Sequence, residues 1–351
     1  MKTLFLLIFL TISLGLTGQT DAPPRFTQTG EDHFTRNNIK EIEINNRHGH
    51  VFFTTWESDS ILVRTTTWVN APIHAAANEV INDIFINQQH TSEKLHYTTR
   101  FGSNFFSNFD FGIIYHVFAP KSLRINVNNR FGNVELINFE GDAHINLEYG
   151  SLNGEHAKIN NGSLYVSNGN IQIMELNHGE ITHLNGSLDI QKLGEVQLSS
   201  DFSEGSIYHA KNLNIISSTG KVDINKVDKL HAESGFSFIT INKLTERGFI
   251  DIHEGSVTIR GFDKGFRELT TSSRKADILL NIAAETPYTM HGQVANGTFT
   301  HYASEKMRVI IENNVTSFSG NFSQRTPGVS PTIILFGTDC DITISNESAF
   351  D

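Results

Sequence analysis

Ile44 to Val51 reads INNRHGHV, and Val127 to Val134 reads VNNRFGNV. The two stretches share Asn, Asn, Arg, Gly and Val at equal offsets 83 residues apart, which is the mark of an internal repeat. From Leu123 onward a looser unit recurs: an apolar strand, a polar turn centred on Gly, Ser or Asn, then a short alternating strand. Examples are LRINVNNRFGNVEL, HINLEYGSL, KINNGSLYV, LNIISSTGKVDI, LHAESGFSFITI and FIDIHEGSVTI. Measured at the first inward apolar residue after the turn, Val134 to Leu152 is 18 residues, Val222 to Ile239 is 17 and Ile239 to Val257 is 18. Several alignments compete between Leu152 and Val222.

A period this short leaves no room for a helix pair or a propeller blade. It predicts an all-β chain folded as a β-solenoid, or parallel β-helix, over residues 122–351. Alternate residues of each short strand (Val222 and Ile224, Ile239 and Ile241, Val257 and Ile259) point inward and stack on their equivalents one coil away. Gly, Asn and Ser tolerate the left-handed backbone angles of the corners. Asn side chains repeated at one corner can form amide ladders along the axis. Only 19% of residues are charged, as expected where like charges would recur on adjacent coils.

Outward from the repeats, residues 1–19 (MKTLFLLIFLTISLGLTGQ) combine a basic Lys2 with an apolar run and small residues at Gly15 and Gly18, the pattern of a signal peptide. Residues 20–38, with Pro23 and Pro24, read as an extended leader. Residues 39–121 form an N-terminal β region, with strands over Ile39–Ile44, Val51–Trp56, Ile61–Val69, Lys94–Phe101 and Gly112–Phe118. Its one exception is Ile73–Ile86, whose apolar residues (Ile73, Ala77, Val80, Ile81, Ile84, Phe85) follow a helical period and predict an amphipathic helix. Thr332–Leu335 and Asp341–Ile344 read as a closing strand pair.

The export signal, the NNRxGxV unit on either side of a helix-containing insertion, the short Gly-centred repeats and the closing strands together resemble the DUF4097 family of adhesin-like β-strand-repeat proteins of bacterial envelopes. The resemblance spans about Ile39 to Ile344. It implies an exported, non-enzymatic protein of the periplasm, cell surface or medium, with a protein or glycan partner. Glu148-Tyr149-Gly150 matches the family's turn, whereas Arg130-Phe131-Gly132 and Ser234-Gly235-Phe236 vary it.

Composition narrows the chemistry. A net charge of -11 disfavours a nucleic-acid partner. A single cysteine, Cys340, excludes an intramolecular disulfide and reads as a small buried hydrophobe. Beyond residues 1–19 no segment is apolar and long enough for a membrane helix. His209, His231 and His253 fall at different repeat positions, so no metal column is expected, nor a cofactor. There is no GxSxG or HExxH motif, and no catalytic residue is assigned; a polysaccharide lyase or hydrolase on a β-helix is the alternative. The Asn-x-Ser/Thr triplets at Asn161, Asn185, Asn296, Asn314, Asn321 and Asn346 read as turns. The candidate interaction site is a loop, FGSNFFSNFDF, carrying Phe101, Phe105, Phe106, Phe109 and Phe111. Exposed together, these rings would form an apolar docking patch, and self-association is compatible with it; the alternative is that Phe105 and Phe106 fold back to cover the end of the N-terminal sheet or its helix.

Overall fold

The computed structural model describes residues 24–36, 38–121, 123–322 and 330–346. The segment read as a signal peptide lies outside them. The described chain is almost entirely β, joined in one 20-stranded sheet with a single α-helix.

The duplicated motif has a direct structural cause. Strand Glu41–Arg47 pairs in parallel with Arg124–Arg130, so that Asn45 meets Asn128, Asn46 meets Asn129 and Arg47 meets Arg130. Val51 likewise meets Val134. Residues 83 apart in sequence are therefore nearest neighbours across the ladder, and Asn128 Nδ2 donates to Asn45 Oδ1 at 2.7 Å. The intervening segment forms the end of the sheet. Lys94–Phe101 pairs with the other edge of Glu41–Arg47, and Phe111–Pro120 with the other edge of Val51–Trp56, both parallel.

From there the ladder climbs by one short repeat per rung. Val134 meets Leu152, Leu152 meets Ile171, Ile145 meets Leu164 and Leu164 meets Ile181, all in parallel register. Ladder pairing then runs unbroken through Ile171–Ile259, and Val257 meets Ile278, which meets Ile342. Within this run, contacts join residues 17 apart: Lys192 Nζ to Glu175, Asn212 Nδ2 to Glu195 and Thr245 Oγ1 to Asp228. Val134, Leu152, Ile171, Leu188, Val222, Ile239, Val257 and Ile278 are all at most 3% exposed, forming one inward file. Burying each removes roughly 1.5–3 kcal/mol worth of apolar surface from water.

The ambiguous register between Leu152 and Val222 is settled by a glycine. A Cβ on Gly205 would lie 3.6 Å from Leu188 Cδ2 and 3.8 Å from Val222 Cγ1, so Gly205 occupies the file between them. Those are ordinary contact distances. Gly205→Ala is expected to raise stability by about 0.5–1 kcal/mol, read from chemical denaturation, because it fills space and restricts the unfolded chain; a loss of stability would place Gly205 elsewhere.

Three sequence expectations are corrected. The helix covers only His74–Asn82, burying Ala77, Val80 and Ile81, and Ile73 is exposed. Asp83 leaves helical geometry, and the β-branched Ile84 and Ile86 instead enter a strand, Ile84–His90, antiparallel to Lys94–Phe101. The leader contains an eleven-residue strand, Arg25–Thr35, antiparallel to Ser60–Asn70. It is mostly exposed and therefore has no apolar alternation to betray it. Finally, Thr332–Thr338 and Ile342–Ser345 do not close the stack. They slot between Glu268–Asn281 and Thr289–His301, pairing in parallel with both. Antiparallel strands Val315–Asn321 and Met307–Glu312 lie beyond.

This C-terminal end contains a buried histidine. Ala303 N–H donates to His301 Nδ1 at 3.0 Å, so the ring proton resides on Nε2, 2.9 Å from the Tyr288 hydroxyl that accepts it. Burial draws the His301 pKa down to about 4. The unfolded chain then binds the proton more readily, so this contribution to stability is intact above pH 6.5 and falls as the pH drops toward 4. Burial shifts His183 in the same direction. A loss of about 1 kcal/mol per pH unit is expected across that window, with a shallower slope in His301→Gln; unchanged slopes would refute the assignment.

Candidate functional site

The corner following each NNR-type strand brings the residue before the turn glycine to the outside. His48, Phe131, Tyr149, Asn168 and Asn185 occupy this position in turn, and Phe202, followed by Ser203 in the glycine's place, holds the same corner; all have φ between 48° and 62°. Asn accepts such angles readily, and Asn185 Nδ2 donates to Asn168 Oδ1 at 3.2 Å in the expected amide ladder. Bulky aromatic residues do not, and each costs on the order of 1 kcal/mol there. The sequons at Asn185, Asn296 and Asn314 have the same left-handed geometry.

Three of the corner rings stack along the axis. His48 lies 5.1 Å from Phe131 at 14°, and Phe131 lies 5.2 Å from Tyr149 at 17°. Arg130 crosses this edge, with its guanidinium carbon 4.9 Å from the Phe131 centroid and 5.7 Å from that of Tyr149, while its Nε lies 3.2 Å from Glu148. Burial first, then the charges of Arg47 and Arg130, lowers the His48 pKa and keeps the ring neutral at pH 7. Phe131 is 38% and Tyr149 49% exposed. Beside the ridge lies a groove of about 240 Å³, lined by Asn45, Arg47, Thr98, Asn128, Arg130 and Asn146.

The loop picked out from the sequence joins this ridge, and its rings divide. Phe101, Phe105 and Phe111 pack on one another at 4.7–6.0 Å and, with Phe109, against the core. Phe101 and Phe111 also reach His48 at 5.8 and 5.3 Å. Phe106 alone projects, 75% exposed. The loop thus anchors the ridge and adds one outward ring, rather than displaying a patch of its own. His48, Phe131 and Tyr149 were missed, although the signal was present: each precedes the glycine of an aligned unit.

A second depression, of about 570 Å³, lies farther along the ladder, where Ser218 and Gly235 sit between Asp201 and His253, with Glu233 and Asp251 beside them. Behind it serines replace the inward aliphatics: Ser200 Oγ donates to Ser217 Oγ at 3.4 Å, and Ser217 meets Ser237 at 3.1 Å. Among the described residues no three His, Cys, Asp or Glu side chains gather as a metal site. His209 faces Asp228 and His231 faces Glu233 on separate columns. Cys340 is buried, 3.2 Å from Ser273 Oγ, and burial raises its pKa. No helix among the described residues is long and apolar enough to cross a membrane.

Neither a family model nor a curated protein matches the chain. Solved structures do. A candidate cell-adhesion protein of Clostridium sporogenes shares 9% identity, with 92% of this chain and 100% of that chain covered, at a TM-score of 0.20. A candidate adhesin of Bacteroides fragilis shares 14% identity over 91% and 97% of the two chains, at 0.26. One of Parabacteroides merdae shares 14% identity over 73% and 92%, at 0.27.

Proposed function

We propose that this chain is an exported, non-enzymatic binding protein of adhesin type, a β-solenoid whose outer corner holds ligand. The observation that carries the reading is the file of exposed aromatic side chains in left-handed backbone geometry. Where Asn168 and Asn185 make the same turn without strain, Phe131, Tyr149 and Phe202 make it at a cost. Retained strain at an exposed position points to a use for the ring. Aromatic edges flanked by Arg47, Arg130 and an asparagine-lined groove suit a glycan bearing acidic groups, bound through hydrogen bonds, ring contacts and guanidinium pairing.

The substitution that tests this replaces each ring by the residue that fits the turn. The triple variant Phe131→Asn, Tyr149→Asn, Phe202→Asn is expected to keep or raise its melting temperature while losing at least about tenfold in affinity on a glycan array that includes acidic polysaccharides. Unchanged binding by the triple variant would remove the corner from the function. The bound glycan is expected to stay uncleaved; sustained turnover abolished by changing one acidic residue would overturn the non-enzymatic reading.

A further inference from the structure

Among the described residues, strand Met307–Glu312 (MRVIIE) is paired along one edge only, with Val315–Asn321. Its aliphatic run is unusually open: Val309 is 45%, Ile310 39% and Ile311 72% exposed, on both faces of the strand. The outer edge of Arg25–Thr35 at the opposite end is guarded by Glu31, Asp32 and His33, the usual defence of a free edge. Met307–Glu312 has aliphatics in the corresponding place. Its two charges, Arg308 and Glu312, have no ionic partner among the described residues.

The backbone phase of this edge can be derived. Asn296 N–H donates to Asn314 O, so on Val315–Asn321 the even-numbered residues bond toward Thr289–Ala295 and the odd-numbered ones toward Met307–Glu312. Val315, Ser317 and Ser319 face Glu312, Ile310 and Arg308. Met307, Val309 and Ile311 therefore present their N–H and C=O groups to the free edge. Two copies pairing antiparallel must oppose these outward residues to one another, which puts the two-fold axis through a residue and not between residues.

We propose that this edge docks the same edge of a second copy, with the axis through Ile310. In that register Val309 opposes Ile311 of the other copy in a hydrogen-bonded pair, and Arg308 opposes Glu312 in a non-hydrogen-bonded pair, twice each. Shifting the axis by one residue sets Arg308 against Ile310 or Asn314, so only this register joins the charges. The contact covers a single short strand, well below the area of a permanent dimer, so association is weak and reversible. The surface lies at the C-terminal end and is independent of the corner ridge.

Sedimentation equilibrium of the full chain at micromolar concentrations is expected to show a reversible dimer. Arg308→Glu and Glu312→Arg should each weaken it at least about tenfold by opposing like charges, and the double exchange should restore it. All these positions are exposed, so thermal melts should be unchanged. As a measurement independent of affinity, Ile310→Cys should give a disulfide-linked dimer under mild oxidation, because Cα atoms in a directly opposed non-hydrogen-bonded pair lie about 4.5 Å apart, within disulfide reach. Val309→Cys should give much less. A monomer at every concentration, a dimer indifferent to Arg308→Glu, or a double exchange that fails to restore association would each overturn the proposal.

Discussion

Ile239→Asp is expected to destabilise the protein by roughly 4 kcal/mol, the upper range for an unpaired charge buried without a partner. Ile239 is 1% exposed and stands in the inward file between Val222 and Val257, with aliphatic side chains as its neighbours along the file. Nothing there can solvate a carboxylate. The group would stay protonated well above the ordinary carboxylate range, so the loss should shrink as the pH falls toward 4. That pH dependence separates a buried charge from a simple cavity, which Ile239→Ala would report without it. Because each rung contacts only its neighbours, hydrogen exchange should localise the damage to the rungs around 222–257. A melt identical to that of the unaltered chain would mean that Ile239 faces solvent and that the register is wrong.

The second large effect concerns a corner. Gly255 has φ +114°, and a Cβ there would lie 2.0 Å from the carbonyl oxygen of Ser237 on the preceding rung. Gly255→Ala therefore combines an unfavourable dihedral with a collision against backbone, and the ladder must open locally to admit one methyl group. A cost of about 3 kcal/mol or more is expected in chemical denaturation. Contrast with Gly205→Ala is the useful control, since the same substitution is expected to change sign where a Cβ meets its neighbours at ordinary contact distance.

How much of this was legible in the sequence depends on how local its cause is. The repeat was readable because every rung must supply inward aliphatics at a fixed phase, as at Val222, Ile239 and Val257. It faded where an inward position is Gly205 and where the inward residues just ahead of the corner become Ser200, Ser217 and Ser234, since neither leaves an apolar mark. Residues 45–47 and 128–130 announced their kinship, yet their adjacency was hidden by the excursion between them. The placement of Thr332–Ser345 inside the stack was equally hidden, because strand order at both ends is set by long-range pairing and not by any residue pattern. At the helix, periodicity ran on through Ile84 and Phe85, but the antiparallel pairing with Lys94–Phe101 claimed those residues for a strand.

The candidate site was half legible. A cluster of Phe drew attention to residues 101–111, and packing then used Phe101, Phe105 and Phe111 as an anchor while releasing Phe106. His48, Phe131 and Tyr149 carry no composition signal, and only the alignment of their glycines shows that they share one corner. Their stacking distance of 5.1–5.2 Å is close to the strand spacing of the ladder itself, which is what places ring upon ring.

The central claim is that successive repeats stack in parallel, one rung at a time, and spin-label distances test it most directly. His144 pairs with Ser163 and Ser163 with Glu180, after which steps of 17 residues lead to His231, whose ring stacks 4.8 Å from that of Phe249. Labels at 144 and 231 are five rungs apart, and labels at 144 and 249 are six. With a strand spacing near 4.8 Å the Cα atoms are about 24 Å and about 29 Å apart, and the label separations read by pulsed electron resonance should follow, rising by one strand spacing for the added repeat. Equal distances in the two pairs, or a second pair closer than the first, would contradict the stacked ladder.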